Sequence, residues 1–175
     1  MSSITVRPPE SQVSELFRAA FRRHAAGVAV ITTAGPAGLT VSSLASVSAD
    51  PPALSFSVMG SRSGHAILGA PSLVINLLGP GHATLARDFA SSGGARFTPG
   101  QGWADLPTGE PYLPDAVAAL RATPLHRIPV GESTLVIAEV VAVVLGEPDH
   151  PLIHHNKDFF IGTGEPAPDH IAPAP

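Results

Sequence analysis

The chain has 175 residues, a length typical of one domain, and 44% of them are hydrophobic, which is enough to form a buried core. Only 10 residues are Lys or Arg and the formal net charge is −4, so the chain lacks the basic surface that nucleic-acid binding requires. It contains no Cys, which excludes disulfides, thiol nucleophiles, iron–sulfur clusters and thiolate zinc sites.

The first predicted element is an amphipathic helix that follows a flexible arm at residues 1–10. Five apolar side chains recur at the spacing of one helical face, namely Val13, Leu16, Phe17, Ala20 and Phe21. Ser11 is the expected N-cap, and Gly27 is the expected stop signal. We expect the folded domain to begin here, at residue 11.

A β-hairpin and a third strand are predicted next. Residues 27–34 and 39–48 have the composition of strands, and the turn G-P-A-G at 35–38 separates them. The sequence D-P-P at 50–52 ends the second of these strands. Apolar and polar residues then alternate over 54–59, which indicates a strand with one buried face.

The middle of the chain combines short helices with a buried strand. A short helix is predicted near residues 65–70, and the run L-V-I-N-L-L at 73–78 predicts a buried strand. Residues 82–91 have helical spacing, with Leu85 and Phe89 on one side. The segment 92–112 is rich in Gly and Pro, and it predicts a long loop of the kind that is usually functional or mobile.

The last third of the chain returns to strands. The segment 116–127 is ambiguous, and we predict a strand for its second half that ends at Pro129. The β-branched run 134–145 predicts a long strand after a turn at 131–133, and residues 152–161 predict a closing strand. A flexible, Pro-rich tail is expected at 163–175.

These elements predict a mainly β (α+β) fold with about seven strands and two or three short helices. The strands cluster in hairpins and do not alternate with long helices, which favours an antiparallel barrel or sandwich over a doubly wound sheet. We expect one domain over residues 11–162. The most apolar run, 135–145, is far shorter than the ~20 residues of a membrane helix, and we expect a cytoplasmic protein.

The second strand of the hairpin carries more hydroxyl groups than a buried strand usually does. Thr40, Ser42, Ser46 and Ser48 share one strand parity, and Ser43 has the other. A buried hydroxyl without a partner costs on the order of 1–3 kcal/mol, so these groups need partners. The row can bind a polar ligand along the strand, or it can form cross-strand pairs on a solvent-exposed face, and the pattern alone leaves both alternatives open.

A candidate anion site lies at Ser61-Arg62-Ser63-Gly64, where a predicted strand leads into a short helix. The free N–H groups at a helix N-terminus attract anions, and Arg62 can add a charge-assisted contact to a phosphate. The alternative is an ordinary Ser N-cap followed by a surface Arg.

Other chemistries find no support in the sequence. His154 and His155 are adjacent and would point to opposite faces of a strand, and no histidine spacing is typical of a metal site, so no metal is predicted. The chain lacks the G-x-S-x-G motif of a hydrolase nucleophile and the G-x-G-x-x-G motif of a Rossmann fold.

Several motifs occur in an order that resembles a known family. They are F-R-R-H-A-A-G-V-A-V-I-T-T (21–33), T-V-S-S-L-A-S-V-S-A-D-P-P (40–52), S-R-S-G-H (61–65), I-N-L-L (75–78), L-A-R-D-F-A (85–90) and P-L-I-H-H-N-K-D-F-F (151–160). Over residues 15–161 the chain resembles the short-chain flavin reductases, the reductase components of two-component flavin monooxygenases. The block ending in S-V-S-x-D-P-P is the most specific of these motifs.

This resemblance implies a split antiparallel β-barrel of the FMN-binding type that binds FMN or FAD, usually as a homodimer. It implies three groups of flavin contacts. These are Thr40, Val41, Ser42 and Ser43 on the ribityl–phosphate side, Ser46, Val47 and Ser48 along the isoalloxazine, and Ser61, Arg62 and Ser63 at the phosphate. Phe89 would lie near the ring or the adenosine end. The apolar strands 73–78 and 134–145 would suit a dimer core.

The resemblance also implies an activity, in which NADH or NADPH docks over the flavin and reduces it for a partner monooxygenase. Many relatives carry Gly-Asp-His before the long strand, where this chain has Gly131-Glu132-Ser133. The change to Ser133 leaves an alternative open, a flavin-binding protein without NAD(P)H reductase activity that serves as an electron carrier or a recruited biosynthetic enzyme. The family's closing His-x-x-x-aromatic segment can be placed at His154–Asp158 or at His155–Phe159, and His154 is expected to face the pocket. No catalytic residue can be named.

Overall fold

A computed structural model of the chain describes residues 9–163. Residues 1–8 of the predicted arm and 164–175 of the predicted tail lie outside the described residues. The helices are α1 (Glu10–Phe21), α2 (Arg62–Gly69) and α3 (Ala83–Ala90). The strands are β1 (Ala26–Gly27), β2 (Ala29–Thr33), β3 (Ala37–Val41), β4 (Ala45–Ala49), β5 (Pro52–Met59), β6 (Leu73–Leu77), β7 (Ala104–Asp105), β8 (Pro111–Tyr112), β9 (Ala118–Val130), β10 (Ser133–Leu145), β11 (Leu152–His155) and β12 (Asp158–Ile161).

The main body is a seven-stranded antiparallel sheet in the order β3-β2-β6-β9-β10-β5-β4. A three-stranded sheet, β1-β11-β12, and the small β7–β8 pair lie beside it. The prediction of a mainly β, antiparallel fold with a few short helices is confirmed. Within residues 9–163 no helix is long and apolar enough to cross a membrane.

The central strands β2 and β6 are buried on both faces, because helices and loops cover both sides of the sheet. On one face Ile31 packs in a core with Phe56 and Ile75, and on the other face Val30 packs in a second core with Phe89. Residues 73–78 are therefore enclosed within the chain. The expectation that they contribute to a dimer core is wrong.

The predicted second strand, 39–48, is interrupted in the structure. β3 ends at Val41 and pairs with β2, whereas β4 begins at Ala45 and pairs with β5 at the opposite end of the strand order. Residues 42–44 cross between the two edges. Local strand propensity cannot reveal this crossing, because it depends on which distant strand pairs with each half.

Two other boundaries differ from prediction. Strand β9, Ala118–Val130, includes most of the first half of the ambiguous segment as well as its second half, because β6 and β10 pair with that first half on either side. The predicted closing strand is a hairpin, β11–β12, whose turn residues Asn156 and Lys157 adopt positive φ angles of 48° and 72°.

Helix α1 confirms the predicted helix, but its ends differ from expectation. Its N-cap is Pro9, which makes no side-chain capping bond, so the prediction of Ser11 as N-cap is wrong. The helix ends at Phe21, well before the predicted stop at Gly27, which lies in β1. No residue of α1 is buried, so its apolar face is open to solvent.

The predicted long loop, 92–112, is fixed to the sheet by two buried polar groups. The Asn76 side chain accepts a hydrogen bond from the Leu113 N–H (2.9 Å) and donates one to the Val30 carbonyl (3.0 Å). Glu110 is fully buried and accepts hydrogen bonds from the Ser72 and Thr108 hydroxyls and from Arg121 Nε (3.1 Å). These contacts anchor the end of the loop against β6 and β9.

The carboxyl group of Glu110 titrates below its usual range. Burial by itself raises the pKa, but the hydrogen bonds from Ser72 and Thr108 and the charge of Arg121 outweigh burial, and the pKa is lowered. A lowered pKa in the folded state stabilises the fold above the unfolded-state pKa, and this stability is lost as the pH falls through the folded pKa.

We predict that Glu110→Gln lowers the free energy of unfolding at pH 7 by about 2–3 kcal/mol, because Arg121 loses its charged partner. Urea unfolding between pH 7 and pH 3 should also show a smaller loss of stability in this variant than in the wild type as the pH falls below 4.5, the ordinary pKa of a glutamate carboxyl group. Asp105→Asn, which removes an exposed carboxylate from the same loop, is the control. An identical pH profile for Glu110→Gln and the wild type would contradict the assignment.

Candidate active site

A large cavity lies where two strand edges face each other without a continuous ladder. β3 pairs with β2 on one side only, and β5 pairs with β4 only as far as Ser55, so residues 39–43 and 57–60 present free edges. Both edges line a cavity of about 1080 Å³. Free backbone groups at such an edge need hydrogen-bond partners, so this wall can bind a planar ligand with polar edges.

Ser43 bridges the two edges. Its hydroxyl accepts a hydrogen bond from the Ser57 N–H (3.0 Å) and donates to the Ser57 carbonyl (3.4 Å). This is the cross-strand alternative considered for the hydroxyl row, realised at one residue. The Thr40 hydroxyl is engaged as well, because it donates to the Ala86 carbonyl of α3 (2.7 Å). Thr40 therefore lines the cavity while its hydroxyl holds α3 to β3.

One end of the cavity is suited to an anion. Ser61 is the N-cap of α2, and its hydroxyl accepts a hydrogen bond from the Gly64 N–H (2.9 Å). Arg62 and Ser63 form the first turn of the helix, and both line the cavity. The N-terminal N–H groups and the guanidinium group of Arg62 place positive charge at this end.

A second cation, Arg96, reaches the same end from the loop after α3. Its Nη1 donates to the Ser63 hydroxyl (2.7 Å), and its Nη2 donates to the Ser91 carbonyl (2.5 Å). The guanidinium lies over the Phe89 ring, 5.7 Å from its centroid, and the Nε is buried with no protein partner. The two arginines and the helix N-terminus therefore converge on one end of the cavity.

Aromatic residues pack against the Arg96 end of the cavity. Phe89 is 1% exposed and packs against Phe97 (5.1 Å between centroids) and Trp103 (5.4 Å). Gly38 is needed in β3, because a Cβ there would lie 2.7 Å from the Phe89 ring. The Phe89 ring therefore belongs to the second core and also lines the cavity, and its packing in the core keeps it in place.

A smaller cavity of about 460 Å³ shares Thr40, Ser42 and Ala90 with the larger one. Its outer wall is made by α3 and the β11–β12 hairpin, and it includes Arg87, Lys157, His154 and Phe159. The Asp158 carboxylate accepts a hydrogen bond from the Phe159 N–H and another from Arg87 (3.2 Å). Both bonds lower the pKa of this carboxyl group, and the bond from Phe159 has the larger effect. Arg87 also lies over the Phe159 ring, 5.3 Å from its centroid.

The structure brings together most of the sequence-predicted site residues. The larger cavity is lined by Thr40, Val41, Ser42, Ser43, Ser61, Arg62, Ser63 and Phe89, and His154 lines the smaller one. Four predicted residues lie outside both linings. Ser46, Val47 and Ser48 lie on β4, and Ser133 pairs with Met59, whose side chain is 66% exposed at the rim of the larger cavity.

Sequence reasoning missed the cations that other elements bring to these cavities. Arg96 lies in the Gly-rich segment 92–102, and nothing in that segment marks it as a partner of Ser63. Arg87 and Lys157 are distant in sequence and meet only because β11–β12 packs beside α3. For Arg96, the one available signal was its positive charge within a segment made mostly of small residues.

Comparisons with known proteins agree with the resemblance seen in the sequence. The family model described as flavin reductase like domain matches residues 21–163. An NADH:FMN oxidoreductase of Rhodococcus qingshengii is 42% identical over 155 residues, covering 84% of this chain and 81% of that relative. The reductase component of an FADH(2)-dependent resorcinol hydroxylase of Rhizobium sp. is 31% identical, covering 84% of this chain and 86% of that protein.

A solved structure supports the same grouping. A flavin reductase domain protein of Arthrobacter sp. FB24 superimposes with a TM-score of 0.81 at 33% identity, covering 88% of this chain and 98% of that chain. The shared architecture therefore extends over nearly all of both chains.

We predict that Gly64→Ala lowers the free energy of unfolding by about 1–3 kcal/mol, because the new Cβ has no room. It would lie 2.3 Å from the Met59 carbonyl oxygen, where α2 starts at the end of β5. Urea unfolding measures the effect. Gly69→Ala, in open space at the end of the same helix, is the matched control and should be neutral or stabilising by up to ~1 kcal/mol. Equal effects of the two substitutions would contradict the steric argument.

Proposed function

The chain belongs to the flavin reductase like domain family, and on this premise we propose that it reduces FMN or FAD with NADH and supplies the reduced flavin to a partner monooxygenase. The observation that carries the proposal is the larger cavity, which joins an anion site to two free strand edges. We assign this activity to residues 11–162, with the arm and the tail outside it. A cytoplasmic location is part of the proposal, and the absence of Cys agrees with it.

The residues of the larger cavity fit a flavin mononucleotide unit. The phosphate would lie at the N-terminus of α2 between Arg62 and Arg96, whose buried Nε still needs an acceptor. The ribityl chain would lie along Ser42 and Ser43, and the ring would extend along the free edges of β3 and β5. When bound, the flavin supplies the redox chemistry, because its ring accepts a hydride from NADH.

The contribution of the chain is positioning. The free edges can hydrogen-bond the polar rim of the ring, and the buried Phe89 ring packs against Arg96 at the phosphate end. Hydride transfer needs two stacked rings in register, so a rigid wall lowers the entropic cost of the reaction. Exposed Met59 leaves the rim accessible for the entry and exit of the flavin.

The smaller cavity is our proposed docking site for the nucleotide part of NADH. Arg87 and Lys157 can contact its phosphates, and His154 and Phe159 offer rings for stacking. Because Thr40 and Ser42 belong to both cavities, a ligand here would lie against the flavin. Ser133, which replaces the histidine of many relatives, is compatible with this arrangement because it lies at the rim and outside both linings.

We also propose the split-barrel architecture and the homodimer that the resemblance implies. The chain crosses from β3 to β4 through residues 42–44, and the Ser43 bridge to Ser57 closes the gap between the two edges of the sheet. Support for a dimer comes from apolar side chains that the chain leaves exposed on α1 and at the end of β10.

An anaerobic titration tests the proposed function. The purified protein is mixed with FMN or FAD, NADH or NADPH is added, and the absorbance of oxidised flavin is followed. We expect catalytic bleaching with NADH. Flavin binding without bleaching would overturn the reductase assignment and would favour a flavin-binding protein with another role.

A second test addresses the phosphate end. We predict that Arg62→Gln raises the Kd of FMN about tenfold, because a charge-assisted contact to the phosphate is lost. The Kd of riboflavin, which lacks the phosphate, should not change. Fluorescence quenching on titration measures both constants, and Arg23→Gln, on the exposed segment after α1, is the control. Equal weakening of FMN and riboflavin would contradict the placement of the phosphate.

A further inference from the structure

Helix α1 has an apolar face that the chain leaves uncovered. Val13, Leu16, Phe17 and Phe21 are between 44% and 59% exposed. The Phe17 and Phe21 rings pack on each other, 4.4 Å apart, and the Phe21 ring also meets the His24 ring, 6.0 Å away. The helix has 12 residues and buries none of them. An isolated helix of this length is marginally stable in water, so its apolar face needs a partner surface.

A second uncovered apolar surface lies at the end of β10. β5 pairs with β10 only as far as Glu139, so residues 140–145 are paired on one side only, with β9. In this part Val141, Val143, Val144 and Leu145 are 43% to 79% exposed. Val143 and Leu145 share one face of the strand, and Val144 points to the other. Large aliphatic side chains at a free strand edge are normally covered in a native assembly.

The charges beside the two surfaces are opposite. The C-terminal end of α1 carries Arg18, Arg22 and Arg23, whereas Glu147 and Asp149 follow the end of β10. The other exposed end of the same hairpin, near Val130, carries both Arg127 and Glu132, whose charges cancel, so it is less suited to the basic end of the helix. Electrostatic complementarity therefore favours the end of β10 as the partner of α1.

We infer that the apolar face of α1 of one copy packs on residues 141–145 of β10 of a second copy, and that the reciprocal contact forms a two-fold dimer. Within one chain the two surfaces do not cover each other, since both are exposed. Val144 points to the other face of β10, and the seven remaining large side chains, each about half exposed or more, offer on the order of 600 Å² per protomer, within the roughly 600–1,000 Å² per partner of a standard interface. This inference rests on the dimer in the proposed function and specifies its interface.

The absence of Cys allows a direct test by cross-linking. Phe17→Cys and Val143→Cys are made in separate copies of the full chain, tagged differently, mixed and mildly oxidised. We expect a disulfide-linked heterodimer, because the interface brings these positions together. The matched control is Phe17→Cys mixed with Val130→Cys, a site that is 63% exposed at the other end of the hairpin. Equal cross-linking in the two mixtures, or none in the first, would overturn the inference.

A charge variant gives an independent measurement. Phe17→Glu should shift the molar mass measured by light scattering after gel filtration from dimer to monomer. Ala19→Glu places the same charge on another side of α1 and should remain dimeric. A Phe17→Glu variant that stays dimeric would exclude α1 from the interface, and a monomeric wild type would overturn both the interface and the dimer.

The same samples separate this inference from the proposed function. Flavin binding by Phe17→Glu, followed by fluorescence quenching, reports that the variant is folded, because α1 contributes no residue to either cavity. Failure of NADH-dependent bleaching in the wild type would contradict the proposed function and leave the interface result standing. Failure of cross-linking in an active dimer would contradict only the interface.

Discussion

The site depends on one break in the backbone pairing of the sheet. Residues 42–44 leave the ladder after β3 and rejoin it as β4 on the far side of β5, so the two strand edges meet without continuous pairing. A fully paired seam would have no unsatisfied backbone groups and no room between the edges. The Ser43 bridge holds the edges together at one point and leaves the larger cavity open beside it.

The geometry of the anion end depends on contacts that are remote from it. Arg96 lies in a loop, but Ser63, Ser91 and the Phe89 ring hold its guanidinium from three directions. The end of that loop is in turn fixed to the sheet by the fully buried Glu110. Buried hydrogen-bonded anchors of this kind let a long connection behave as part of the rigid scaffold.

The sequence predicted the local elements well, because their signals are local. The alternation at Leu54, Phe56 and Val58 and the Ser61 cap both appear in the structure where the pattern places them. The crossing at 42–44 and the convergence of Arg96 on Ser63 could not be predicted, since each depends on elements far apart in the chain. The role of the hydroxyl row could not be predicted either. Thr40 and Ser43 use their hydroxyls for contacts within the protein, and the alternation of side chains along a strand does not distinguish such contacts from contacts to a ligand.

The site combines buried walls with exposed contacts, and this arrangement suits a reductase that releases its flavin to another protein. Phe89 and Gly38 fix the shape of the cavity from within the core, and ligand binding does not need to reorganise them. Arg62 and Met59 are exposed at the cavity, where solvent and salt weaken each contact to a ligand. In the proposed function the rigid walls would therefore position the flavin for hydride transfer, while the exposed contacts would limit its affinity. A site that buried the phosphate as deeply as Phe89 would retain the product that the partner monooxygenase requires.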